Sequence, residues 1–117
     1  MELANFVIEK LKENNKLREE KTRFKDKEIN LYILELNNLD EDLIFTSAYY
    51  IIDENNTVFI DKKDNRFFIY LFLTNKNKII EFFNQIVNYY FYRKENKKSI
   101  EIKKYLLELF LYGNRKE

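Results

Sequence analysis

RFFIYLFL, residues 66–73, is the sharpest pattern in the chain: seven apolar side chains follow one arginine without a break. A strand that is apolar on both faces lies in the middle of a sheet or is covered on both sides. TVFID (57–61) precedes it across the turn-like KKDN (62–65), and EINLYILEL (28–36) reads as a third strand, broken by Asn37 and Asn38. Between them, LDEDLIFTSAYYII (39–52) predicts a helix. Asp40 is its N-cap, and acids fill the first turn, where the helix dipole favours them. Leu43, Ile44, Phe45, Ala48, Ile51 and Ile52 supply its buried side.

KIIEFFNQIVNYYFYRKE (78–95) is a broad amphipathic helix on a wheel of about 100° per residue. Ile79, Ile80, Phe82, Phe83, Ile86, Val87, Tyr90 and Phe91 fall on one half, with Glu81, Asn84, Gln85, Asn88 and Tyr92 on the other. Tyr89 lies at the edge of the polar arc. Arg93 returns toward the apolar side, where its stem packs while its head reaches an acid or a carbonyl. SIEIKKYLLELFLYG (99–113) is a final helix, with Ser99 as N-cap and Gly113 as stop. Its polar arc is narrow (Glu101, Lys104, Glu108), so its apolar residues need burial on more than one side. A small three-stranded sheet covers one side only. The rest, Leu106 and Phe110 included, is expected against the preceding helix or another protein, a second copy included. Residues 2–21 read as a thin helix striped by Leu3, Val7 and Leu11 and weakened at Asn14 and Asn15.

The expected fold is therefore α+β. A small three-stranded, mainly antiparallel sheet packs with an N-terminal helix, one intermediate helix and two C-terminal helices. The 117 residues make one domain; 1–27, with fifteen charged residues among the first 28, read as a solvated helix docked by its first turns, with a mobile helical arm that binds a partner as the alternative.

Composition narrows the chemistry. The chain has no cysteine and no histidine, which removes thiolate sites, cysteine nucleophiles and the commonest base and metal ligand. A single glycine rules out a glycine-rich phosphate loop. Asp40, Glu41 and Asp42 are consecutive on one turn and point to different sides, so no metal site is expected there. The chain reads as a non-catalytic protein without a cofactor. No early apolar run follows a basic start and no segment has the length of a membrane helix, which predicts a cytoplasmic protein.

Charge is uneven. Residues 29–61 carry seven acids and no Lys or Arg, whereas 62–117 carry thirteen basic and six acidic residues. The acidic block, with Asp40, Glu41 and Asp42 at its centre, suits a small phage- or mobile-element-type inhibitor that blocks the basic channel of a nuclease or another nucleic-acid-processing enzyme. The basic cluster of Arg93, Lys94, Lys97, Lys98, Lys103 and Lys104 beside aromatic rings suits weak single-stranded RNA binding. A net charge of +1 makes nucleic acid the less favoured partner. Exposed tyrosines at Tyr89 and Tyr92 suit a protein interface, because each brings a large contact area at low entropy cost.

The stretch Ile86, Val87, Asn88, Tyr89, Tyr90, Phe91, Tyr92, Arg93, Lys94 also resembles the long helix of the HxsD family of His-Xaa-Ser peptide-maturation systems. That pattern runs as two aliphatics, Asn, Asp, Tyr, any residue, Leu, Arg and Glu. The aliphatics, Asn88, Tyr90 and Arg93 match, while Tyr89, Tyr92 and Lys94 depart. Phe83-Asn84, Ala48-Tyr49 and a final apolar helix are similar too, over roughly residues 29–112. The resemblance implies a small accessory protein encoded beside a pair of radical S-adenosylmethionine enzymes and a precursor peptide. Its partner would be one of those enzymes or the peptide. Absence of cysteine agrees, since this chain cannot hold the enzymes' cluster. The expected contact residues are Asn88, Tyr89, Tyr92 and Arg93, with Leu106 and Phe110.

Overall fold

The apolar run at 66–73 lies inside a four-stranded antiparallel sheet, flanked on both sides. The structure is a computed structural model that describes residues 2–37, 39–93 and 99–112. Its elements, in chain order, are α1 (Glu2–Glu13), β1 (Leu17–Phe24), β2 (Lys27–Asn37), α2 (Glu41–Ile51), β3 (Asn56–Lys63), β4 (Arg66–Leu73), α3 (Lys78–Arg93) and α4 (Ser99–Tyr112). The sheet order is β1-β2-β4-β3.

The expected three strands are thus corrected to four, and the extra strand comes from the segment read as helix. The helix at 2–21 ends at Glu13. Asn15 takes a left-handed φ of 60°, the Lys16 N–H reaches the Leu11 carbonyl at 2.8 Å, and the Asn15 N–H reaches Lys12 at 3.2 Å. This pair of bonds is the Schellman stop, with asparagine in the position glycine usually fills. β1 then runs to a two-residue turn at Lys25 and Asp26, whose φ values of 53° and 64° match the mirror-image turns that suit hairpin twist. Only Leu17 of β1 is buried, and its charged side chains mark a protected sheet edge.

Side chains alternate across the sheet. Tyr32, Leu34, Leu36, Phe67, Ile69, Leu71 and Leu73 face a core shared with all four helices. α1 enters that core with Ala4, Val7, Ile8 and Leu11, all buried. Within 1–27 the helix is docked along its length to Leu11, and the part read as its continuation is a paired strand. α4 packs on α1, β2 and α3, burying Ile102, Leu106, Leu109 and Phe110. These four side chains are absorbed within the chain, with Phe110 lying 6.2 Å from Phe83 between ring centroids, while Tyr105, Leu107 and Leu111 are half-buried. α2 and α3 run antiparallel: Asp40 meets Tyr90 at one end, and Asp53 just beyond α2 meets Lys78 at 3.6 Å at the other.

Candidate interaction surface

The stretch from 86 to 93 divides along the helical period. Ile86, Val87 and Tyr90 are core, Asn88 is exposed, and Tyr89 is 37% exposed. Tyr90 fixes the helix pair. Burial pushes its hydroxyl up to about 12, despite a backbone hydrogen bond from Asp40 that favours the phenolate. Its ring meets Tyr89 edge-on at 5.1 Å and Tyr105 at 6.3 Å. Through Tyr90, the structure brings two of the sequence's separate candidates, Tyr89 and Asp40, to the same end of the α2–α3 pair. The side chains of Phe91, Tyr92, Arg93 and Ser99, and residues Lys94, Lys97, Lys98 and Gly113, lie outside the described part of the chain.

The acidic triplet is less free than its exposure suggests. Asp40 caps α2, its Oδ1 accepting the Asp42 N–H at 2.9 Å. Glu41 pairs with Lys62 at 3.0 Å. Asp42 is exposed. Leu106 and Phe110, expected on a spare surface, are instead fully buried by the chain's own elements. They contribute to stability and present no contact surface in this fold.

Two apolar surfaces went unread in the sequence. The first is the outer stripe of α2, where Phe45, Tyr49, Tyr50 and Ile52 are exposed, Tyr49 at 77%. Phe45 and Ile52 were expected inside. The helix carries two stripes with the same spacing, 44/48/51 and 45/49/52, and only the first meets the core. Ala48 is buried as its spacing predicts; Ser47 beside it, short and polar, drew no attention, yet it is buried too, and the rings face out. The second surface is the sheet face away from the helices. Leu31, Ile33, Phe68, Tyr70 and Phe72 are half-buried there, flanked by exposed Phe24 and Phe59, and none joins the core cluster. The consecutive apolar residues 31–34 of β2 and the two-sided apolar run of β4 were its signals.

The polar clusters explain themselves structurally. Glu19 accepts hydrogen bonds from Lys76 and Tyr32 and lies 3.8 Å from Lys12; burial pushes its carboxyl up, and these partners hold it below its ordinary range. Burial also pushes Tyr32 up to about 12, aided by the Glu19 charge. A cleft of about 180 Å³ between Phe24, Lys27, Asp53 and Phe72 borders the open sheet face. Of its two carboxylates, Asp53 and Glu54, the first is occupied: Asp53 accepts the Asn55 N–H at 2.8 Å and the Asn56 amide at 2.9 Å, which lowers its pKa. Asn56 in turn accepts the Thr74 and Asn75 N–H groups, tying this loop to the end of β4. Among the described residues, no group of three or more His, Cys, Asp or Glu is gathered to hold a metal, and no helix is long and apolar enough to cross a membrane. Comparison with family models, curated proteins and solved structures returned no match.

Proposed function

We propose that this chain is a non-catalytic, protein-binding accessory subunit of a radical S-adenosylmethionine peptide-modification system. It docks through the solvent side of the α2–α3 pair. The observation that carries the reading is the exposed ring stripe of α2. Phe45, Tyr49 and Tyr50 stand in solvent on a rigid helix whose other side is locked into the core. Preorganised aromatic side chains of this kind are the residues that concentrate binding energy at protein interfaces. The positions that resemble the HxsD pattern support it. Ala48 and Tyr90 are core and hold the two helices together, whereas Tyr49 and Asn88 point outward from them.

The test is co-purification of the tagged chain with the radical S-adenosylmethionine enzymes that this reading expects to be encoded beside it, followed by calorimetry. Phe45→Ser with Tyr49→Ala should weaken the complex at least tenfold while leaving the circular dichroism of the free chain unchanged. No complex with either enzyme or with the precursor peptide, or a complex indifferent to that pair of substitutions, refutes the reading. The inhibitor alternative has less support: the Asp40 carboxylate is committed to its cap and Glu41 to Lys62, so only part of the acidic triplet is available to compete for a basic channel.

A further inference from the structure

We infer that a second copy of this chain packs on the open face of the sheet, giving a two-fold dimer of two facing sheets with the helices outside. The inference uses the surface opposite to the one proposed for the enzyme partner and does not rest on that reading. The register lays out this face in rows across the strands. One row runs Arg18, Ile33, Tyr70, Phe59; the next runs Glu20, Leu31, Phe72, Thr57. In these two rows the centre is aliphatic on β2 and aromatic on β4, and the charges stand on β1, with Glu35 of β2 entering only in the row beyond. An apolar centre with a charged rim is the anatomy of a protein interface.

The arrangement is complementary to itself. A two-fold axis parallel to the strands, between β2 and β4, sets β2 of one copy on β4 of the other and β1 on β3. Each row then falls on itself. Leu31 meets the second copy's Phe72, and Ile33 meets its Tyr70. Arg18 lies over the second copy's Phe59, a cation above the most exposed ring of the face. In the row Lys16, Glu35, Phe68, Asp61, the lysine faces the second copy's Asp61. No like charges oppose each other in these rows. Aligned sheets pack in this way, about 30° from parallel. Area supports it too. Four strands about 4.8 Å apart, with eight residues each rising about 3.4 Å, present roughly 500 Å² per copy, or roughly 1,000 Å² in the pair. That reaches the lower limit of a specific interface and fits a dimer that dissociates on dilution. Single-stranded nucleic acid fits the face less well, because Glu20, Glu35 and Asp61 stand among its cations, and Glu35 already binds Lys16 at 3.6 Å and Arg66 at 3.4 Å.

Sedimentation equilibrium of the full chain over a wide concentration range tests this. The expected mass rises from 14.5 kDa to twice that value. Phe59→Lys sets two cations against each other and should raise the dimer dissociation constant at least tenfold. Phe59 is 62% exposed, so the monomer keeps its fold. Adding Arg18→Glu to the same chain restores an opposite-charge pair and should recover most of the loss. A chain that stays monomeric at the highest concentration, or a dimer unmoved by Phe59→Lys, overturns the inference. So does failure of the second substitution to rescue, because the rescue depends on β1 lying over β3.

Discussion

Leu11→Ala separates a docked α1 from a peripheral one. Leu11 is fully buried on the helix side that meets α3 and α4. The substitution removes three carbon atoms. At about 0.8 kcal/mol for each buried methylene-sized group, the transfer loss is about 2.4 kcal/mol. The neighbours close in only partly, and the cavity left behind raises the cost to roughly 3 kcal/mol. That is a large share of a small domain's stability, typically about 5–15 kcal/mol. Urea unfolding followed by far-ultraviolet circular dichroism reads it directly. With a slope of about 1.5 kcal/mol per molar, the midpoint should fall by about 2 M at unchanged slope. Glu9→Ala, on the exposed side of the same helix, is the control and should stay within about 0.5 kcal/mol. A Leu11→Ala cost no larger than that of the control would refute the docking of α1. It would also reopen the surface of α4, since α1 is one of the elements that cover it.

Asp40→Ala deletes the cap that accepts the Asp42 N–H and should cost about 1 kcal/mol in the same assay, with Asp40→Asn losing much less. At Asn15, whose φ is 60°, Asn15→Gly should be neutral or stabilising, and Asn15→Ala should destabilise by about 1 kcal/mol, because only a residue tolerant of the left-handed region stops α1 without strain. Phenolate absorbance should show Tyr32 and Tyr90 ionising near 12, two units above the ordinary tyrosine value. Both pKa values are raised in the fold, so the stability held by their neutral forms is fully present below pH 10 and is lost as pH rises through 12. Tyr32→Phe and Tyr90→Phe should each remove one of these late-titrating groups; a single step near 10 in the folded chain would contradict the burial argument.

Most of the chain was legible because the periods of its elements are undisturbed. The cap at Asp40, the strand at 66–73 and the inward face of α3 all follow from residue spacing and hold in the structure. β1 was not legible because its side chains answer to solvent and not to a core. Leu17 is its only buried residue, and an edge strand with charges along it has no apolar alternation to read. Asn15 was read as weakening a helix when it ends one. The same misreading produced the second error. With 2–21 treated as a peripheral helix, α1 was unavailable to cover α4, so Leu106 and Phe110 looked like unfinished surface.

Once α1 is docked, the surplus apolar area does not vanish; it moves. The helices cover the β2–β4 centre of one face of the sheet, and Leu106 and Phe110, which seemed to need a partner, are buried within the chain. What stays uncovered is the face that β2 and β4 turn outward, together with the outer stripe of α2. β4 is apolar on both faces, yet the described helices lie on only one of them. A central strand of that composition makes physical sense when its second face is also shielded from water. The sequence of 66–73 therefore states a demand for a second layer that the described monomer does not meet. The two-fold pairing of open faces meets it with the chain's own β2 and β4, leaving α2 and α3 on the outside of the dimer, free to engage a different protein.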